Sequence, residues 1–191
     1  MAELILGGQR SGKSARAETL AVSWLAAAPQ RQAVFIATAQ PWDDEMRTRI
    51  ARHQADRASR LPGMHTVEVP LALADALSQH SQPDVLVVVD CLTLWLTHLL
   101  MAPERNTSLA SSQPLAPDAT LYMAEFLRAI EAAPGPVVIV SNEIGLGVIP
   151  MGAEVRAFVD ALGRLNQQVA AVCQRVTLMA AGLPLYLKGG V

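Results

Sequence analysis

Gly7-Gly8-Gln9-Arg10-Ser11-Gly12-Lys13-Ser14 matches the pattern G-x4-G-K-S/T. That loop works only between a strand and a helix, so it constrains the fold more than any other stretch. The flanks agree with it. Leu4–Leu6 is a short apolar run before the loop, and Ser14–Ala27 is alanine-rich with helical spacing after it. Glycines let the backbone fold around a phosphate with its N–H groups turned inward, and the helix N-terminus adds positive potential. Lys13 has the reach for β- and γ-phosphates, and the Ser14 hydroxyl is a ligand for Mg²⁺. The competing reading is a glycine-rich strand-to-helix turn with no ligand.

The rest of the chain alternates in the manner a phosphate loop needs. Ala33–Ala37 reads as a buried strand, Asp43–Ala58 as a helix and Met64–Val69 as a short strand ending at Pro70. Leu71–His80 reads as a helix, and Val85–Val89 is a strand apolar on both faces, as central parallel strands are. Leu92–Met101 reads as a helix. Ala102–Pro117, with three prolines, reads as a loop, and Ala119–Ala132 as a further helix. Pro136–Ser141 reads as another buried strand. Val155, Phe158, Val159, Leu162, Leu165, Val169 and Val172 recur at helical spacing and mark a long amphipathic helix. Arg175–Ala180 and Leu185–Leu187 close the chain as a hairpin around Gly182-Leu183-Pro184. The expected fold is α/β, with a mostly parallel sheet and one antiparallel edge.

Composition narrows the class of partner. The chain has 191 residues, which suits a single domain. Its 15 basic and 17 acidic side chains leave a charge of −2, without the basic stripe of a nucleic-acid binder. Aromatics are 4% of residues, so the core is expected to be aliphatic. Cys91 and Cys173 sit in apolar stretches and read as free buried thiols of a reducing cytosol. Val85–Met101 is interrupted by Asp90, Thr93, Thr97 and His98, which argues against a membrane span.

Further candidates stand at strand ends. Asp90 follows VLVVV directly, the place of a Mg²⁺-side carboxylate opposite a phosphate loop. An N-cap for the next helix is the alternative. Ser141-Asn142-Glu143 ends a buried strand. Asn142 and Glu143 there either orient substrate and sense the γ-phosphate or are plain loop residues. Thr38-Ala39-Gln40 stands at the same sheet edge. The helix Asp43–Ala58 is too polar for a core element. Its Met46, Ile50, His53 and Arg57 share one face, among Arg47, Arg49 and Arg52. Nearby arginines keep an imidazole neutral and nucleophilic and also attract phosphates. A histidine that merely anchors the helix is the open alternative.

With these residues in place, the chain resembles the bifunctional adenosylcobinamide kinase/adenosylcobinamide-phosphate guanylyltransferases of cobalamin biosynthesis. The likeness runs through LILGGQRSGKS, IATAQPWDDEMRTRIARHQADR, VVVDCLTLWLTHLL, VIVSNEIGLGVIP, GRLNQQVAAVCQRV and AGLPLYLK. It departs at Ala58-Ser59, where the family has Pro and a nearby Trp, and at Met151-Gly152, where it has Glu-Asn. The resemblance implies a three-layer phosphate-loop NTPase fold with a RecA-like sheet. It implies phosphorylation of adenosylcobinamide by ATP or GTP, then transfer of GMP from GTP to adenosylcobinamide phosphate through a guanylyl-histidine matching His53. Nucleotide contacts carry over to Gly7, Gly8, Gln9, Arg10, Ser11, Gly12, Lys13 and Ser14. They carry over also to Thr38, Ala39, Gln40, His53, Gln54, Ala55, Asp56, Glu68 and Asp90. Mg²⁺ falls to Ser14 and Asp90, and a cytoplasmic homotrimer is implied. A single-activity small-molecule kinase and a RecA-like ATPase module are the other readings.

Overall fold

The computed structural model describes residues 1–40, 44–61, 63–101, 117–147 and 149–190. Its elements are β1 (Ala2–Gly7), α1 (Lys13–Ala26), β2 (Gln32–Ala37), α2 (Asp44–Arg60), β3 (His65–Glu68), α3 (Leu73–His80) and β4 (Val85–Asp90). They continue as α4 (Leu92–Met101), α5 (Pro117–Ala132), β5 (Val137–Val140), α6 (Ala153–Val172), β6 (Arg175–Ala180) and β7 (Leu183–Lys188). The strands form one sheet in the order β3-β2-β4-β5-β1-β6-β7. All neighbours pair in parallel except β6 and β7. The expected α/β architecture with one antiparallel edge is what forms. The phosphate-loop strand β1 and the Asp90 strand β4 are separated by β5, the RecA-like arrangement.

Period-two alternation explains why the central strands are apolar on both faces. Leu4, Leu6, Val85, Val87, Val89, Val137 and Ile139 face one core, with α3, α4, α5 and α6 packed over it. Ile5, Leu86, Val88, Val138 and Val140 face the other, against Ala17 and Ala21 of α1. Alanines at those helix positions let α1 lie close to the sheet. The core is not purely aliphatic as composition suggested. Trp95 and Phe126 are its largest fully buried side chains, with ring centroids 5.3 Å apart and a tilt of 56°. Trp95 satisfies its indole N–H on the Leu71 carbonyl at 2.9 Å.

Two sequence expectations shift. The hairpin turns at Ala181-Gly182, with φ of 52° and 80°, and Leu183 and Pro184 already belong to β7. Two positive φ values suit the twist of a two-residue hairpin. Pro184 is tolerated because β7 is an edge strand. The loop expected over Ala102–Pro117 falls, for 102–116, outside the described residues, while Pro117 opens α5 at a position suited to proline.

Candidate functional site

The phosphate loop leaves β1 at Gly7, whose φ of 150° is open to glycine, and a Cβ there would meet Met179 O and Ser11 Oγ at 2.5 Å. It enters α1 at Gly12, the N-cap, with φ of 101°. Ser11 N donates to Gly8 O at 3.2 Å, closing the loop on itself. Gly182 N donates to Ser11 O at 3.0 Å, so the β6–β7 turn braces the loop from the neighbouring strand at the same sheet edge. Lys13 is 8% exposed, and Nζ donates to Gly8 O at 2.6 Å, arched over the loop. Ser11 Oγ is buried without a hydrogen-bond partner among the described residues. A buried hydroxyl without a partner carries an energetic cost that a bound anion would relieve.

Ser14 Oγ donates to Asp90 Oδ2 at 2.8 Å. These residues come from positions 76 apart in sequence and meet because β4 and β1 both end at this edge of the sheet. Two hard oxygen donors side by side suit Mg²⁺. The N-cap position of α4 belongs to Cys91, one residue after Asp90. Burial first, and the Asp90 charge second, push the Cys91 thiol up to about 11, so it stays protonated and unreactive at neutral pH.

These groups open onto a cleft of about 1050 Å³. Gln9, Arg10, Ser11, Gly12, Lys13, Ser14, Ala39, Gln54, Glu68 and Asp90 line it, as do Thr93, Asn142 and Ile144. Helix α2 forms one wall through Asp44, Glu45, Thr48, Ile50 and Arg52. Gln54 Nε2 donates to Glu68 Oε1 at 3.2 Å, tying that wall to β3. His53 lies in α2 between Arg52 and Gln54. Its side chain and that of Asp56 lie outside the described residues. Gly7 and Gly8 sit at the root of the loop, and Gln40 and Ala55 are not among the lining residues.

Thr38 ties neighbouring strand ends together. It is fully buried, and its polar groups are engaged within the protein. Its N–H donates to Asp90 O at 3.1 Å. Its Oγ1 donates to Cys91 O at 2.8 Å and accepts from Cys91 N at 2.9 Å. Its carbonyl accepts from His98 Nε2 at 2.8 Å, which fixes a protonated Nε2 on that ring. Burial lowers the His98 pKa, with the Thr38 bond opposing, so the imidazole is a structural group. Thr38 thus clamps the Asp90–Cys91 segment.

Sequence reasoning passed over Thr93 and Asn166. Asn142 N and Nδ2 both donate to Thr93 Oγ1, at 3.1 and 3.0 Å. Asn166 Nδ2 donates to Asn142 O at 3.0 Å, and Ser141 Oγ donates to Asn166 Oδ1 at 2.7 Å. Asn166 is 3% exposed on the apolar face of α6. A polar residue interrupting that face was the available signal.

Comparison with known proteins identifies the family. The bifunctional adenosylcobalamin biosynthesis protein CobP of Pseudomonas aeruginosa is 44% identical over 190 residues, covering 99% of this chain and 98% of that one. The proteins of the same description named CobU are 34% identical in Salmonella typhimurium and 32% in Escherichia coli, each covering 97% of this chain and 98% of its own. The flagellar accessory protein FlaH of Methanocaldococcus jannaschii aligns with a TM-score of 0.49 at 11% identity, over 100% of this chain and 80% of that one. The fold assignment rests on the strand order instead. The family model for cobinamide kinase/cobinamide phosphate guanyltransferase matches residues 3–187, and the chain therefore belongs to that family of bifunctional transferases.

Proposed function

We propose that residues 1–191 act as one nucleotide-binding transferase domain that runs both family reactions in this cleft, with His53 as the carrier of GMP. The observation that carries the reading is the cleft itself. It joins the phosphate loop and the Ser14–Asp90 pair to a wall made by α2, the helix that holds His53. In the kinase reaction, the aminopropanol hydroxyl of adenosylcobinamide attacks the γ-phosphorus of ATP or GTP. Loop N–H groups and Lys13 hold the β- and γ-phosphates. In the transferase reaction, a His53 nitrogen bonds to the α-phosphorus of GTP and pyrophosphate leaves. The phosphate oxygen of adenosylcobinamide phosphate then displaces the histidine, giving adenosyl-GDP-cobinamide. Arg52 supplies positive charge on the α2 wall. Ser14 and Asp90 would hold Mg²⁺, which supplies charge neutralisation for the phosphates. The test is incubation with α-labelled GTP alone. Protein-bound label that is acid-labile and alkali-stable is the expected result, and its absence from active protein would remove the covalent step.

Asp90→Asn checks the metal assignment. The substitution keeps size and an acceptor for Ser14 but loses the charge. Both activities are expected to fall at least ~100-fold, with the thermal midpoint near that of the parent. A variant that melted early yet turned over normally would mark Asp90 as a structural residue.

A cytoplasmic homotrimer is the assembly we favour, with sites completed by a neighbouring subunit. Leu183, Leu185 and Leu187 recur at strand period on β7 and are 70, 57 and 56% exposed on an edge strand. Such a row on a free edge is ordinarily covered. Among the described residues, no helix is long and apolar enough to cross a membrane. Light scattering on eluting protein should give three times the chain mass of 20.4 kDa, and a monomer mass at micromolar concentration would rule the assembly out.

A further inference from the structure

Asn142 stands at the sheet edge that carries the phosphate loop and Asp90. It follows β5, whose Val140 is in register with Ile5 of the phosphate-loop strand on one side and with Asp90 on the other. Ser141 N donates to Ile5 O at 3.0 Å and Glu143 N to Gly7 O at 3.1 Å, so the segment bearing Asn142 runs on along the root of the loop. Asn142 is half-buried and lines the cleft.

Its orientation is held by three hydrogen bonds to two residues. The backbone N–H and one side-chain N–H both reach Thr93 Oγ1, and the backbone carbonyl receives Asn166 Nδ2. Asn166 is itself held by Ser141, which is fully buried. A buried polar network of this kind gives little net stability over a well-packed apolar one, and its return is a fixed geometry. With Nδ2 turned to Thr93, Oδ1 makes no hydrogen bond among the described residues, and a second N–H is left on Nδ2.

The kinase reaction offers partners that match both. Phosphate oxygens carry no hydrogen for Oδ1 to accept, whereas the attacking alcohol does. We infer that the Asn142 carboxamide is a catalytic group of the kinase step: Oδ1 accepts the hydroxyl hydrogen of the alcohol substrate, and the remaining N–H donates to a γ-phosphoryl oxygen. One planar amide touching both reactants sets the attack in line, the task that a positioned glutamine performs for water in GTPases. The hydroxyl oxygen forms the new bond to the γ-phosphorus. The bond from that phosphorus to the bridging oxygen breaks, and its electron pair leaves with the nucleoside diphosphate. The hydroxyl proton ends on a phosphoryl oxygen of the product and passes to solvent. Asn142 takes no proton. Thr93 is the positioning residue behind it.

The inference rests on the kinase reaction assigned above, and steady-state kinetics separate the two. Wild-type protein should transfer phosphate from ATP to adenosylcobinamide. Failure there would strike the kinase reading itself. Given that activity, Asn142→Ala is expected to lower kcat about 100-fold while KM for ATP stays within about threefold. Asn142→Asp, which keeps an acceptor but loses the N–H and adds charge, should fall between the two. Thr93→Val leaves the carboxamide present but unheld and should lower kcat about tenfold or more. An Asn142→Ala kcat within about threefold of wild type would overturn the proposal. So would a loss that appears chiefly in KM, or one that follows the thermal midpoint across all three variants.

Discussion

His53→Ala protein is expected to take up no label from α-labelled GTP and to lose GMP transfer completely, while phosphoryl transfer from ATP persists in part. The asymmetry follows from chemistry. Only the transferase reaction passes through a covalent nitrogen–phosphorus bond, so only that reaction needs a nucleophile on the protein. The described residues contain no substitute. His98 is buried and donates to the Thr38 carbonyl. His65 begins the edge strand β3, and His80 ends α3. The Cys91 thiol, pushed up to about 11 by burial and by Asp90, stays protonated. Assays that follow the γ- and α-phosphates separately read both outcomes. If His53 only anchored α2, both activities would fall together and protein-bound GMP would persist; label retained on the variant would place the nucleophile elsewhere.

Lys13→Ala is expected to remove both activities, by ~1000-fold or more, with the fold retained. Its charge serves the two reactions through the same phosphates. The kinase transfers the γ-phosphoryl group, and the transferase expels the β- and γ-phosphates as pyrophosphate, so each develops negative charge where Lys13 reaches. Burial of Lys13 does not make it a core residue in the energetic sense. Its amine meets the Gly8 carbonyl and it stands at the first turn of α1, where a positive charge is unfavourable to the helix dipole. Removing it should therefore leave thermal stability near that of the parent. Lys13→Met, which keeps the length of the side chain, separates charge from packing. Near-normal rates for either reaction in folded Lys13→Met protein would contradict the role.

Much of this site is written in consecutive residues. Gly7 and Gly12 announce the loop because no other residue type tolerates those backbone angles so readily. VLVVVD announces both a central strand and the carboxylate at its end. The long spacing of Leu162, Leu165 and Val169 places them in a core, and all three are buried. Val155, in the first turn of α6, carries the same periodic signal and is 52% exposed. Of the two residues missed, Asn166 shows in sequence only as a polar break in an apolar helix face, and Thr93 looks ordinary. Each acts through a partner 49 or 24 positions away, and spacing within one helix carries no trace of that.

Local periods are legible along the chain: which residues alternate along a strand, which return to one helix face and where the backbone must turn on glycine. These follow from steric limits acting over a few residues. Tertiary structure decided who meets whom. Ser14 finds Asp90, Thr38 clamps Cys91 and Gly182 braces Ser11 only because the strand order brings distant chain segments to one edge. That order is chosen by the burial of whole faces against one another, a sum over many weak contacts that no single motif records.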